Sequence, residues 1–486
     1  MLIPTLETLK FAMNNPFSQC VLRYGSKFCK ECSESRLEHA LEIFSGTSHP
    51  FKNCKTYSFL VKMLIKSGGR IFGVNEESQF REYFMDPTVR RGLTSVLRGI
   101  AKYGITKPQL LDAPFLVVWN FTNACNLNCK HCYQSAGERA SDELTTEERL
   151  RAVEEMEKSG VVAIAFSGGE PLMSRDFFEV ATKAKERGMY VALATNGTLI
   201  TEKIAKKLKD VGVDYVEISL DSSNPERHDA FRGIPGSFDR TLRGIRNCID
   251  EGIFTCVATT VTKVNLYEIP EIIDLAEKLG AKRFMAFNFV PAGRAEDAVD
   301  LDLTPEQRED LLRYLFMQNG TRKIQILSTA PQFARVSLEL SGGKIVAPTH
   351  MYIGQAYWGL KTLAEFIGGC GAGRLYCALQ PNGDVSPCVF MPGVMVGNVR
   401  KTPFMDIFHQ SEVMEKLRDR SLLKGNCGTC QYRYVCGGCR ARAFGYFREL
   451  SAPDPGCVRN NEHNSKAERK AVPIVIKMED TILKRS

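Results

Sequence analysis

Three cysteines fall within eight residues, Cys125-Asn-Leu-Asn-Cys129-Lys-His-Cys132, and Tyr133 follows at once. Three thiolates this close can ligate three irons of a [4Fe–4S] cubane and leave its fourth iron open to an outside ligand. A zinc knuckle is the competing reading. Zinc asks for a fourth ligand nearby, and His131 sits between the cysteines rather than at a useful spacing.

The chain has 17 cysteines in 486 residues. The number is odd, the residues are grouped, and the chain is long enough to fold without disulfide staples, so metal ligation is the first reading. A second group is Cys370-x6-Cys377-x10-Cys388 followed by Cys427-x2-Cys430-x5-Cys436-x2-Cys439-x17-Cys457. These eight grouped cysteines read as metal ligands, with two zinc sites as the plainer alternative. A third group, Cys20, Cys29, Cys32 and Cys54, contains a C-x2-C pair and would hold a structural zinc or a further Fe–S cluster. Cys248 and Cys256 stand apart and read as small core residues.

The elements that must position these groups are legible. Short apolar runs (FLVVWNF, VVAIAFS, YVALAT, YVEISL, TCVATTV, RFMAFNF) recur between 115 and 289 with helical patterns between them, which predicts parallel βαβ units. Thr145 and Glu148 form a capping-box signature, and Gly160 sits where a left-handed cap ends the helix. Six such units are too few for an eight-fold barrel, while the near-continuous β-branched runs ask for burial on both faces. The fold class is therefore α/β, a partial (β/α)6 barrel with its site at the C-terminal ends of the strands. The expected organisation is a mostly helical, basic, Cys-bearing module (1–110), the core (111–300), a connecting segment (301–368), a Cys-rich domain (369–460) and a basic tail (461–486). Residues 1–110 hold 16 Lys and Arg against 9 Asp and Glu, so +7 of the chain's +8 lies there. That charge suits a docking surface for an anionic substrate or partner. Nucleic acid is the weaker candidate, since no binding motif accompanies the charge. No apolar run reaches a membrane-spanning length and no signal peptide is visible, which gives an expectation of cytoplasmic location with peripheral membrane contact at most.

The C-x3-C-x2-C loop with its aromatic resembles the radical S-adenosylmethionine (SAM) superfamily. Ser167-Gly168-Gly169-Glu170-Pro171 is similar to that family's GGEP element, and Thr195-Asn196-Gly197, Ile218-Ser219-Leu220-Asp221 and His228–Gly233 resemble its later strand ends. The resemblance implies a [4Fe–4S] cluster on Cys125, Cys129 and Cys132, and SAM held around Tyr133, Gly168, Gly169, Glu170, Asn196, Ser219 and Arg232. In that picture the glycines admit the methionyl end, Glu170 receives its amino group, Ser219 meets the ribose and Arg232 lies near the carboxylate. Reductive cleavage of SAM then gives a 5′-deoxyadenosyl radical that abstracts hydrogen from an unactivated C–H bond. The C-terminal cysteines resemble the SPASM extension, in which two auxiliary [4Fe–4S] clusters are fully thiolate-ligated. By position, one would use Cys370, Cys377, Cys388 and Cys439, and the other Cys427, Cys430, Cys436 and Cys457.

Within that family the C-terminal stretch is most similar to SPASM proteins of the haem and haem d1 pathways. A tetrapyrrole losing propionate side chains or carboxyl groups is therefore the leading substrate class. Peptide or protein cross-linking, C–C coupling of archaeal lipid chains and a non-enzymatic Fe–S electron carrier are the alternatives. An electron donor such as ferredoxin or flavodoxin is implied. No catalytic acid, base or radical relay can be named from the sequence.

Overall fold

The computed structural model describes residues 10–31 apart from 12, 34–48, 55–71, 81–347 apart from 83, and 365–460. Cys32, Cys54, most of the aromatic stretch between 348 and 364 and the 461–486 tail lie outside the described residues.

A two-residue pair, β1 (Phe28–Cys29) and β2 (Glu34–Ser35), precedes the main sheet. Six parallel strands then follow the six apolar runs closely: β3 (Leu116–Thr122), β4 (Ala163–Gly168), β5 (Tyr190–Thr195), β6 (Tyr215–Ser219), β7 (Thr255–Val261) and β8 (Arg283–Asn288). A seventh parallel strand, β9 (Gln325–Ser328), extends the β8 edge. On the other edge β10 (Tyr376–Leu379) pairs parallel with β3, followed antiparallel by β11 (Asp384–Ser386) and β12 (Gly397–Asn398). The partial barrel is thus flanked by strands on both sides, and the Cys-rich domain joins the sheet directly. Four-residue strands inside loop-rich sequence carry too little periodicity to be read in advance.

Alternation divides each inner strand between two environments. Val117, Trp119 and Phe121 of β3, with Ile164 and Phe166 of β4, pack outward against the helices in the main core. Leu116, Val118, Ala163 and Ala165 face the barrel interior and line a cavity there. The connecting helix Thr146–Ser159 begins with the Thr145–Glu148 capping box and ends at Gly160, whose φ of 89° is the left-handed cap.

That helix also anchors the start of the three-cysteine loop. Arg149 is fully buried; its guanidinium donates to Asp176 Oδ1 at 2.7 Å, to Glu143 Oε2 at 3.2 Å and to the Phe121 carbonyl at 2.8 Å. Glu143 Oε1 in turn accepts from Thr122 Oγ1 at 2.9 Å and the Asn123 amide at 2.8 Å. The buried cation therefore holds the carboxylate that holds the end of β3. Removing one partner of such a buried pair strands the other, so Arg149→Ala is expected to lower unfolding free energy by about 3–5 kcal/mol. Denaturant unfolding of the metal-free protein checks it, and Arg149→Met with Glu143→Gln should recover part of the loss.

Candidate active site and cluster-binding cavities

The loop after β3 places its three thiols around one mouth of the barrel. Cys129 is 8% exposed, and Cys125 and Cys132 are half-buried. The Leu127 and Ala136 amides point at the Cys125 and Cys132 sulfurs at 3.5 and 3.4 Å, and Arg232 Nη1 lies 3.7 Å from the Cys129 sulfur. Burial pushes the Cys125 thiol up to about 12. Amide and guanidinium donors aimed at sulfur suit thiolates bound to iron, whose charge they offset. Three thiols with such donors aimed at them suit three corners of a [4Fe–4S] cubane.

A cavity of about 150 Å³ opens beside the thiols, with Tyr133, Gly168, Gly169, Asn196, Ser219 and Arg232 in its wall. Six of the seven positions expected around SAM are therefore brought together. Glu170 is not in that wall. It is fully buried, and its carboxyl accepts from Thr195 Oγ1 at 2.8 and 2.9 Å, the Asn196 amide at 2.9 Å and the Leu172 amide at 3.2 Å. Glu170 thus ties the β4 loop to the β5 loop. Its burial raises the carboxyl to about 7.

Gly169 has a packing task in the fold. A Cβ on Gly169 would stand 2.2 Å from the Ala124 carbonyl oxygen. The Glu170 amide donates to that same oxygen at 2.8 Å. Gly169 therefore lets the β4 loop lie flat on the cysteine loop.

Arg232 pairs with Asp221 at 2.7 Å, and His131 Nε2 lies 3.5 Å from the same carboxylate oxygen. The His131 ring stacks on Phe231, centroids 4.2 Å apart and planes 8° apart. Burial lowers His131 to about 4, so it is neutral at physiological pH. Tyr133 Oη donates to Asn120 Oδ1 at 3.0 Å and sits 2.9 Å from Ser167 Oγ. Sequence reading missed Arg294, whose side chain donates to the Cys129 and Ala136 carbonyls at 3.0 and 2.7 Å. A lone Arg after the last predicted strand carries no signal of that task.

In the C-terminal domain Cys427, Cys430, Cys436 and Cys457 line one small cavity, as position suggested. Amides of Asp454, Tyr432 and Gly438 point at the Cys427, Cys430 and Cys436 sulfurs, each at 3.4 Å. A second cavity is lined by Cys370, Cys388 and Cys439. Cys377, the fourth expected ligand there, is instead packed in the main core on the outer face of β10. In the N-terminal module Cys20 is exposed on helix Pro16–Gly25 and Cys29 is buried in β1. With Cys32 and Cys54 outside the described residues, that proposed metal set is only half described.

The domains are locked together by charge. Arg442 reaches Asp302 at 2.8 Å, Asp454 at 3.3 Å and the Phe289 carbonyl at 2.6 Å, and Asp454 accepts the Cys439 amide at 2.6 Å.

A Radical SAM superfamily profile matches residues 119–276, and the SPASM iron-sulfur cluster-binding profile matches residues 370–439. The AdoMet-dependent heme synthase of Methanosarcina barkeri is 38% identical over 354 residues, 72% of this chain and 97% of that protein. The chain belongs to the radical SAM superfamily. The pre-heme d1 synthase of Dinoroseobacter shibae is 34% identical over 351 residues, 70% of this chain and 85% of that protein. Among solved structures, Streptococcus suis SuiB bound to S-adenosylmethionine shares the fold, with a TM-score of 0.62 over 87% of this chain and 93% of that one at 15% identity. As a radical SAM enzyme with a SPASM domain, the chain takes a [4Fe–4S] cluster, SAM and auxiliary clusters.

A Cβ at position 169 forces the β4 loop off the cysteine loop. Gly169→Ala is expected to lose the iron of the loop cluster and nearly all 5′-deoxyadenosine formation while keeping the auxiliary clusters. Iron counting with EPR of the reduced protein measures both, the auxiliary signals serving as the internal control.

Proposed function

We propose that this radical SAM enzyme removes carboxyl groups from propionate side chains of a tetrapyrrole. The observation that carries the reading is a chamber of about 210 Å³ inside the barrel that shares Tyr133, Ser167, Ala194, Glu217, Phe287 and Phe390 with the SAM cavity. Ala163, Ala165, Ala192 and Ala194 stand at inward positions of β4 and β5 and leave its space open. Its other walls are largely aromatic and aliphatic, and its volume suits a side arm and ring edge of the substrate rather than the whole macrocycle. Arg283 and Glu217 are the charged groups in the lining. A cation in an apolar chamber suits a substrate carboxylate. The heme-pathway names among the relatives support the same class.

Bound cluster and SAM supply the 5′-deoxyadenosyl radical, and the auxiliary clusters supply an outlet for one electron. Hydrogen abstraction from the carbon next to the ring, then loss of carbon dioxide and one electron, converts the propionate to a vinyl group. The chain's own residues hold that side arm near the SAM cavity and exclude water. Arg283 is fixed by Gln325 Oε1 at 3.0 and 3.2 Å and lies over the Tyr215 and Phe254 rings, so its cation is preset. A low-potential ferredoxin or flavodoxin would deliver the electron. No described helix is long and apolar enough to cross a membrane.

Anaerobic turnover of the reconstituted protein with SAM, dithionite and iron coproporphyrin tests the reading. The expected outcome is 5′-deoxyadenosine together with a product lighter by carbon dioxide and two hydrogens per converted side chain. Deoxyadenosine without any tetrapyrrole product would turn attention to a peptide or lipid substrate.

Charge in the chamber makes a further test. Burial raises Glu217 to about 7, with Tyr215 Oη donating to it at 3.1 Å and Arg283 opposing the shift. Tyr190, Tyr215 and Cys256, the other titratable groups around it, are raised by burial and stay neutral. Below pH 7 Glu217 is protonated and Arg283 acts alone on a carboxylate; above it, the Glu217 charge cancels that attraction. KM for the tetrapyrrole is expected to rise between pH 6 and 8, and Glu217→Gln should flatten the rise. Arg283→Leu should weaken binding roughly 10- to 100-fold, the worth of a hydrogen bond to a charged group.

A further inference from the structure

Position in the sequence makes Cys377 the fourth ligand of the cluster at Cys370, Cys388 and Cys439, yet strand geometry forbids it. β10 runs parallel to β3 with Tyr376 opposite Leu116, Cys377 opposite Val117 and Ala378 opposite Val118. Side chains alternate along a strand, so Tyr376 and Ala378 share the inner face while Cys377 shares the outer one with Val117. Packing agrees: Cys370, Cys388, Tyr376 and Ala378 belong to one buried cluster, and Cys377, Val117 and Leu379 belong to another. Tyr376 Oη lies 3.1 Å from the Cys388 sulfur, which fixes the inner face as the thiol face. No rotamer carries Cys377 through the sheet. Bringing it inside needs a one-residue slip that would expel Tyr376 and every other inner side chain of β10.

The cavity that holds the three thiols has no fourth thiol among the described residues. Its remaining wall includes Asn288, Thr329, Tyr376 and Phe390, and the last three also line the barrel chamber. Asn288 Oδ1 accepts from Arg308 at 2.9 Å, whereas its Nδ2 is buried without a partner among the described residues. Asn288 also lines the SAM cavity, so this fixed donor can serve a cluster sulfur or an atom arriving from the chamber.

We infer that the auxiliary cluster at Cys370, Cys388 and Cys439 is held by three thiolates, with its fourth position open to an exogenous donor atom entering from the barrel chamber. Cys377 is a core residue and not an iron ligand. This differs from the full thiolate ligation that family resemblance implies. It does not depend on which substrate the chamber takes.

The loop cluster also has an open iron, so the test begins by replacing Cys125, Cys129 and Cys132 together with alanine. The full chain is reconstituted anaerobically, reduced, and titrated with 13C-labelled cyanide while EPR and ENDOR spectra are followed. The expected result is iron for two four-iron clusters and 13C hyperfine coupling on one of them. Adding Cys377→Ala should leave iron content and coupling unchanged, whereas adding Cys388→Ala should remove that cluster. Absence of 13C coupling overturns the inference, because a fourth protein ligand would then occupy the position. Loss of one cluster's iron in a folded Cys377→Ala protein overturns it as well. Should alanine at 377 fail to fold, the cyanide titration with Cys377 in place decides the question by itself.

Discussion

Backbone hydrogen bonds to the loop between 123 and 137 are the interaction on which the site depends. The loop has no helix or strand of its own, so its buried amides and carbonyls must find partners elsewhere. One bond closes the loop on itself and the others come from three places outside it. The Cys125 amide donates to the Gly137 carbonyl at 2.8 Å, the Asn128 and Lys130 amides donate to the Arg232 and Phe231 carbonyls at 3.1 and 3.2 Å, the Ala124 carbonyl accepts from Glu170, and the Cys132 carbonyl accepts from the Arg294 amide at 2.9 Å. The loops after β4, β6 and β8 therefore shape the thiol triangle, and each must come within backbone contact. Gly293 shows how tight the fit is: a Cβ there would lie 2.4 Å from the Tyr133 carbonyl oxygen, and its φ is 59°. The thiol geometry is thus a property of three βα loops, which explains why it needs the whole half-barrel behind it.

Register carries the same constraint into the C-terminal domain. β10 lies beside β3, the strand that launches the cysteine loop, with four consecutive residues paired. Two iron sites are in this way built from the two ends of one strand pair. Inner-face side chains of that pair, Leu116, Val118 and Tyr376, line the chamber between them. Any slip of β10 would disturb both the auxiliary thiols and the chamber wall, and the buried Arg442, Asp302 and Asp454 network opposes such a slip from the other side.

What the sequence shows and what it hides divide along a physical line. β3 to β8 were legible because each is a continuous apolar run between helix caps, and the cysteine loop was legible because its ligands are local. Spacing counts residues but does not report which side of a sheet a residue faces. That is why the SPASM pattern, carried over by position, grouped Cys377 with Cys370 and Cys388, although it packs in a different cluster from them. The structural task of Glu170 was hidden for a related reason: a carboxylate in a ligand-binding motif does not show from sequence that Thr195, Asn196 and Leu172 also bond to it. Chamber residues such as Ala163, Ala192 and Glu217 had no signal, since their meaning lies in the space they share across strands.

The N-terminal module shows the same limit for charge. Its positive excess suggested a surface for an anion, but several of those cations are engaged within the fold. Arg90 pairs with Glu42 at 3.3 Å, Arg91 with Glu157 at 3.4 Å, and Arg98 and Lys102 with Asp112 at 3.0 and 2.7 Å. The last three bonds tie helix Pro87–Tyr103 to the core. The guanidinium of Arg91 also donates to the Arg187 carbonyl just before β5, and Gly92 is packed so closely on Phe115 that a Cβ would lie 3.1 Å from its ring. Phe115 and Tyr190, at the entry ends of β3 and β5, are lining residues of the chamber. The helix therefore backs the chamber at the end remote from the cysteine loop. Excluding water from that end requires a well-packed cover more than it requires charge, and the ion pairs are what fasten the cover in place.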